Sequence, residues 1–335
     1  MMNKIFFKKK MKNSKILCIG STSLTEGIRH MLHNEYHIDL ENSTCIKDYC
    51  EKPGEGVPDN TKEAMSISDV VTGKGFNTII VDDRLDNMQI FKKQLLHLRF
   101  SGIPVFDAPH FYEHITGKTP VTSIDDSWLL FHNQGARSHS LICKLLKNIS
   151  DKFIAFAGIM ISAPLMLLCA LAIRLSSQGP VFFRQERLGR NEKPFVLIKF
   201  RTMINNAEKE TGPKWAGEDD PRITAVGKFL RKTRLDELPQ LFNVIKGNMS
   251  VVGPRPIRKH FADILAQEIP YYRLRFAVKP GITGWAQVCG DYAGSHEGQR
   301  EKLEFDLYYI RNQSLLFDLL IFFKTVKTVI LQKGQ

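Results

Sequence analysis

Two adjacent carboxylates, Asp236 and Glu237, stand among cations: Arg231, Lys232 and Arg234 precede them, and the turn Gly253-Pro254-Arg255-Pro256 follows. The two prolines fix φ and restrict how Arg255 is presented. Acids placed among bases in this way can hold an anionic ligand while a carboxylate attacks it or binds a metal. The plainer reading makes Asp236 the N-cap of a helix running to about Lys246, with Pro239 in its first turn and Gly247 as its stop. A cap accounts for the acid, the proline and the glycine. It needs neither the neighbouring cations nor a stiff basic turn.

The elements that would position this pair come from several stretches. Phe195–Met203 (FVLIKFRTM) alternates, which as a strand puts Val196, Ile198 and Phe200 on one face and Lys199 and Arg201 on the other. Both cations then point one way, as a solvated edge or as an anion contact. Lys279–Gln287, with Pro280, Gly281 and Gly284 around Trp285, reads as a tight loop. Asp219 and Asp220 can bind a metal or, ahead of Pro221, form a turn. His260 and His296 lack His or Cys partners at ligand spacing and read as surface residues.

Residues 153–173 run for 21 positions without a charge, about 31 Å as a straight helix and enough to cross a bilayer core. Pro164 falls mid-run, where it removes a backbone hydrogen bond and kinks the helix. Near the end, Leu315–Leu331 is apolar but interrupted by Asp318, Lys324 and Lys327, the pattern of an interfacial amphipathic helix.

The first third reads differently. Strands are expected at Lys15–Gly20, His37–Leu40, Thr78–Val81 and Ile103–Phe106, with helices over Ser21–Asn34 and Asn87–Phe100. That alternation predicts a small parallel α/β domain, Rossmann-like in outline. Its first turn has Gly20 and Gly27 rather than G-x-G-x-x-G, which weighs against a bound dinucleotide. Boundaries on this reading are a basic tail over 1–12, the α/β domain over 13–110, a packed linker over 111–140 and a second domain over 141–335.

Of the 335 residues, 43% are apolar and 24% charged, a globular composition, and ten of the twelve net positive charges lie after residue 150. The basic half is therefore the one expected to meet phosphates, nucleic acid or an acidic membrane surface. It lacks zinc-finger spacing and an RNP-like aromatic motif, which excludes the common nucleic-acid modules. The six cysteines are scattered and read as reduced thiols. Only Ile5-Phe6-Phe7 is apolar in the basic start, far short of a signal peptide, so the first domain is expected in the cytosol.

Six blocks in order now carry a resemblance. They are the Pro-broken apolar segment, Gly179–Gln185 (GPVFFRQ), Lys199–Met203 (KFRTM), Arg234–Gln240 (RLDELPQ), Gly253–Pro256 (GPRP) and Lys279–Gln287 (KPGITGWAQ). From about Lys152 onward, roughly the last 55% of the chain, the sequence resembles the bacterial sugar transferases, monotopic polyprenyl-phosphate phosphoglycosyl transferases. The resemblance implies a membrane-associated α/β transferase domain on the cytoplasmic face, with residues 153–173 as a re-entrant helix broken at Pro164. The family's usual break is Ser-Pro, and here it is Ala163-Pro164 with Ser162 one step early. Members commonly carry several membrane helices upstream of a comparable first domain, and no such run occurs in these residues.

The resemblance also implies the chemistry. Asp236 attacks a UDP-sugar, UMP leaves, and a polyprenyl (undecaprenyl) phosphate takes the sugar phosphate from the enzyme. Mg²⁺ is implied at Glu237 with Asp236. Lys199, Arg201, Arg234 and Arg255 are the candidates for phosphate contacts, because two anions must approach each other. Glu237 can instead act as an electrostatic neighbour that tunes Asp236. The alternative is a non-catalytic membrane-associated scaffold or regulator that binds nucleotide through the α/β domain. The identity of the sugar and the oligomeric state stay open at this level.

Overall fold

The short apolar run Ile16–Ile19 becomes strand β1, followed by helix α1 (Ser23–Tyr36), β2 (Thr78–Val81), α2 (Gln89–Phe100), β3 (Val105–Asp107) and α3 (Ala108–Thr116). The computed structural model describes residues 15–20, 22–36, 71–73, 75–81, 89–131, 140–205, 220–290 and 296–330. The basic tail 1–12, the strand expected at His37–Leu40 and Asp219 lie outside them. The described residues fall into two compact units, one on each side of the Asp125–Asp126 bond.

In the first unit β1, β2 and β3 form a wholly parallel sheet in that order, registered by Ile16 opposite Thr78 and Ile79 opposite Val105. Successive side chains serve opposite faces. Ile16, Cys18 and Ile80 pack on Ile28 and Leu32 of α1 and Phe111 and Ile115 of α3, while Leu17, Ile19 and Ile79 pack on Leu98 of α2. Both faces are covered, which is why these strands read as unbroken apolar runs. Residues 111–116, assigned from sequence to the linker, complete α3: Asp107 caps it at His110 N (3.2 Å), and Gly117 ends it at φ 69°.

The second unit begins with the short helix α4 (Asp126–Phe131), whose buried Trp128 lies 3.9 Å beneath the Arg311 guanidinium. Helix α5 runs from Leu141 to Ser176. Pro164 does not end it. The proline removes only the bond to the Met160 carbonyl, and the turns on both sides persist. The Ser162 hydroxyl donates to Gly158 O (2.6 Å), so it is not the partner of that freed carbonyl. Ala155, Met166, Cys169 and Ile173 of α5 are buried, while Phe153, Ile161, Leu167 and Leu171 are largely exposed. Among the described residues α5 is the one helix long and apolar enough to cross a membrane.

Strands β4 (Phe182–Leu188) and β5 (Pro194–Phe200) form an antiparallel hairpin, and β6 (Ser250–Val252) and β7 (Gly281–Thr283) pair in parallel. The other helices are α6 (Ala225–Lys232), α7 (Gln240–Ile245), α8 (Lys259–Glu268), α9 (Trp285–Cys289), α10 (His296–Arg311) and α11 (Leu315–Ile330). One reading needs correction. Lys279–Gln287 is no loop: it supplies β7 and the start of α9. On β5 the Lys199 face is the one that packs, since Phe195 and Leu197 enter the core while Val196 is 52% exposed; the opposite face is covered only at its end, where Phe200 is buried. The buried side of β5 thus continues at Lys199. Helix α11 turns its acidic residue inward, with Asp318 Oδ2 2.6 Å from Lys147 Nζ and Oδ1 accepting from the Tyr309 hydroxyl at 2.7 Å, while Lys327 is exposed. His260 and His296 are exposed, as their spacing suggested.

Candidate active site

The acid pair is held by a change of helix type. Thr224 caps α6 by accepting from Gly227 N (2.9 Å), and the helix stops after Lys232. Arg234 adopts φ 58°, and Leu235–Glu237 form a single 3₁₀ turn before α7 starts at Gln240. Leu235 and Leu238 pack into the cluster of Phe200, Leu230 and Ile173, which holds the turn against α5 and β5. Asp236 is therefore not an N-cap. Pro239 occupies that position and offers no side-chain acceptor, and among the described residues the contact of the Asp236 carboxylate is with a side chain, Lys199. The far end does match expectation, with Gly247 at φ 83° closing α7.

Both carboxylates are buried. Glu237 Oε1 accepts from Lys199 Nζ at 3.0 Å and from Arg255 Nη2 at 2.7 Å. Asp236 has one ion-pair partner among the described residues, Lys199, at 4.0 Å. The pair is thus asymmetric, and the electrostatics follow. Burial raises Asp236, and the Glu237 charge adds to this, against the pull of Lys199 and Arg255. Burial also acts on Glu237, but Arg255 and Lys199 more than offset it and hold that carboxyl well below the usual range. Lys199 is lowered, chiefly by burial and secondarily by Arg255, with the two acids opposing.

One residue of the site is not singled out by the sequence pattern, and one of the neighbouring cations gains a specific place. Asn243 of α7 accepts from Ile198 N (3.0 Å) and donates to Val196 O (2.7 Å), so one amide fastens the Lys199 strand to the helix that follows the acids. An asparagine inside a short helix, where it is a weak former, was the available signal. Arg231 donates from Nε to Thr202 Oγ1 (2.9 Å), and its charge lowers the Asp236 pKa. It had been noted only as one of the nearby cations.

The turn bearing Arg255 is fixed by backbone proximity. A Cβ on Gly281 would lie 2.1 Å from Gly253 N, so only glycine lets the two chains meet there. Gly253 N donates to Thr283 O, and Gly281 N donates to Pro254 O, both at 2.9 Å.

Of the predicted set, Lys199, Asp236, Glu237 and Arg255 come together. Arg201 does not join them: β5 ends at Phe200, the alternation lapses, and Arg201 Nη2 donates to Ser177 O (2.8 Å) and Oγ (2.9 Å) at the end of α5. Its buried Nε and Nη1 have no hydrogen-bond partner among the described residues. Arg234 is exposed, and its left-handed backbone is its visible contribution to the turn. Asp220 is bound by Arg222, with Oδ1 accepting from Arg222 N at 3.0 Å, which is the turn reading rather than the metal one.

No group of three or more metal-ligating side chains occurs among the described residues. The two acids nonetheless suit Mg²⁺, which binds hard oxygens and commonly takes one or two carboxylates plus substrate phosphates. One weakly paired carboxylate thus stands beside a firmly paired one, walled by cations, on a unit that also carries a helix long and apolar enough to cross a membrane. Comparison with known proteins gives the family. The profile of the bacterial sugar transferase family matches residues 142–332, and the chain belongs to that family.

Among relatives, the chain is 40% identical over 256 residues to a UDP-N-acetylgalactosamine-undecaprenyl-phosphate N-acetylgalactosaminephosphotransferase of Aeromonas hydrophila, covering 76% of this chain and 59% of that one. It is 38% identical over 271 residues to a UDP-glucose:undecaprenyl-phosphate glucose-1-phosphate transferase of Escherichia coli K12, covering 78% and 56%. To the exopolysaccharide production protein PSS of Rhizobium leguminosarum it is 41% identical over 187 residues, covering 54% of this chain and 94% of that one. The chain spans less than two thirds of the first two relatives.

Proposed function

We propose that this protein transfers a sugar-1-phosphate from a UDP-sugar to a polyprenyl phosphate, undecaprenyl phosphate by analogy with the relatives' acceptor, in two steps through Asp236. An Asp236 oxygen bonds to the β-phosphorus, the bond from that phosphorus to the bridging oxygen breaks, and UMP leaves with that oxygen. A phosphate oxygen of the lipid then bonds to the same phosphorus and displaces the Asp236 carboxylate, giving polyprenyl-diphospho-sugar. One site thereby serves a water-soluble donor and a lipid acceptor in turn.

The observation that carries this reading is the asymmetry of the acids. Glu237 is tied down by Lys199 and Arg255, while Asp236 has a single cation at 4.0 Å and keeps its lone pairs for attack. Lys199 and Arg255 also offset the negative charge brought in by the diphosphate. Asp236 and Glu237 would hold Mg²⁺, which when bound supplies charge neutralisation to the departing phosphate.

The proposed membrane placement is supported by α5. Ala155 and Ile173, about 27 Å apart along the helix, both pack against the globular unit, which favours a segment that stays with that unit on one side of the bilayer. Cations on both flanks, Lys144, Lys147 and Lys152 before the apolar run and Arg174 and Arg184 after it, favour one side for both ends. We read the segment as re-entrant on the cytoplasmic face, and the three-stranded sheet as part of a Rossmann-like domain. The test is donor alone: purified protein given a panel of UDP-sugars should release UMP once per site and gain the mass of a sugar phosphate. Turnover with polyprenyl phosphate and no mass gain would replace the covalent route by direct transfer. A scaffold without catalysis would release no UMP.

A further inference from the structure

Behind the Arg255 turn lies a buried polar group that the chemistry above does not use. Arg275, 8% exposed, donates from Nη2 to Asp306 Oδ2 at 2.8 Å and to the Arg255 carbonyl at 3.2 Å, and from Nη1 to the Tyr272 hydroxyl. Asp306 and Tyr272 are each 2% exposed. A full ion pair placed in a core is weak evidence for stability, because desolvating both charges cancels much of their attraction. Its orientation points to another purpose. The other backbone bonds of this turn, Gly253 N to Thr283 O, Gly281 N to Pro254 O and Leu188 N to Ile257 O, link main chain to main chain. The Arg255 carbonyl is instead held by a side chain, and the guanidinium on that same residue holds Glu237 at 2.7 Å.

We infer that Asp306 and Arg275 are positioning residues for the transfer: Asp306 orients the Arg275 fork, Arg275 grips the Arg255 carbonyl, and the Arg255 guanidinium is thereby aimed at Glu237 and the donor phosphates. Planar bidentate donation suits arginine here, since one guanidinium reaches a carboxylate, a carbonyl and a phenol together, which an ammonium cannot do from one point. Lys302, one turn before Asp306 on α10, adds positive charge near both Arg255 and Arg275. Burial pushes the Asp306 carboxyl up to about 6 against the pull of Arg275.

This rests on the transferase reading, and the test separates the two. In the full-length protein, Asp306→Asn keeps the shape and removes the charge. Arg275→Lys keeps both charges, removes the fork and guards against simple misfolding. Each is expected to lower kcat by roughly 10- to 100-fold, the usual effect of disturbing groups behind a site, with the donor KM within about threefold. In an Arg255→Ala background the same changes should cost no more than about twofold further, because the residue they act through is gone. Equal losses in both backgrounds, a loss confined to KM, or wild-type kcat in both single variants would overturn the inference while leaving the transferase intact. A wild-type protein that releases no UMP from any UDP-sugar overturns both.

Discussion

At the scale of single residues, the site separates two neighbouring acids by what each one touches. Asp236 must be ionised to attack, and burial holds its pKa above the ordinary aspartate value. As pH falls, kcat/KM should therefore decline on an acid limb lying above the usual carboxylate range, which a pH–rate profile measures. The same shift has a sign for stability. A folded pKa raised above 3.8 means the native state loses stability as pH rises past the unfolded value and the buried acid must ionise. Asp236→Asn should thus lower turnover by roughly a thousandfold or more, as loss of a nucleophile does, with an unfolding midpoint at neutral pH equal to or above wild type. A variant that keeps its UMP release would return Asp236 to a structural role. That role cannot be capping, since Pro239 holds the cap position.

At the scale of elements, the distance from Lys199 to the acids depends on how β5 is fastened to α7. Asn243 makes both bonds across that gap and is 1% exposed. Asn243→Ala removes the partner of a part-buried N–H (Ile198) and of a part-buried carbonyl (Val196) on β5, which costs about 1 kcal/mol or somewhat more. Thermal unfolding should show that loss, and kcat should fall as well because Lys199 is no longer held at the acid turn. Equal kcat with a lowered midpoint would make Asn243 purely structural. The element that reads most ambiguously is α5. Single cysteines at Asn148 and Gln178, in a cysteine-free background, should both resist labelling from outside intact spheroplasts until the membrane is opened. Labelling of one and not the other establishes a true span.

At the scale of the whole molecule, the ion-pair partners of the acids among the described residues, Lys199 and Arg255, belong to the unit after Asp125. Residues 126–335, produced in membranes or detergent, are expected to keep UMP release. A shorter piece starting at residue 141 loses Trp128 from beneath Arg311 and should unfold at a lower temperature; equal midpoints would show that α4 is dispensable. An inactive but folded 126–335 would mean that the first unit contributes to catalysis.

The sequence alone showed the adjacent acids among cations, the apolar helix and the parallel α/β pattern of the first unit, because each rests on local composition or on a period that side-chain burial imposes; it was the resemblance to the sugar transferases that singled out Lys199 and Arg255 as phosphate contacts. Local pattern also misled where two outcomes share one signature. The alternation of β5 is equally regular whichever face is buried, and only packing of Phe195 and Leu197 against the core sends Lys199 inward. Asp236 before Pro239 looks like a cap until the left-handed turn at Arg234 and the burial of Leu235 and Leu238 shorten the helix. What tertiary structure alone decided is the division between the acids and the parting of Arg201 from Lys199. Those depend on which charges meet across long sequence separations, such as Lys199 with Glu237 and Arg275 with Asp306, and no spacing along the chain encodes such meetings.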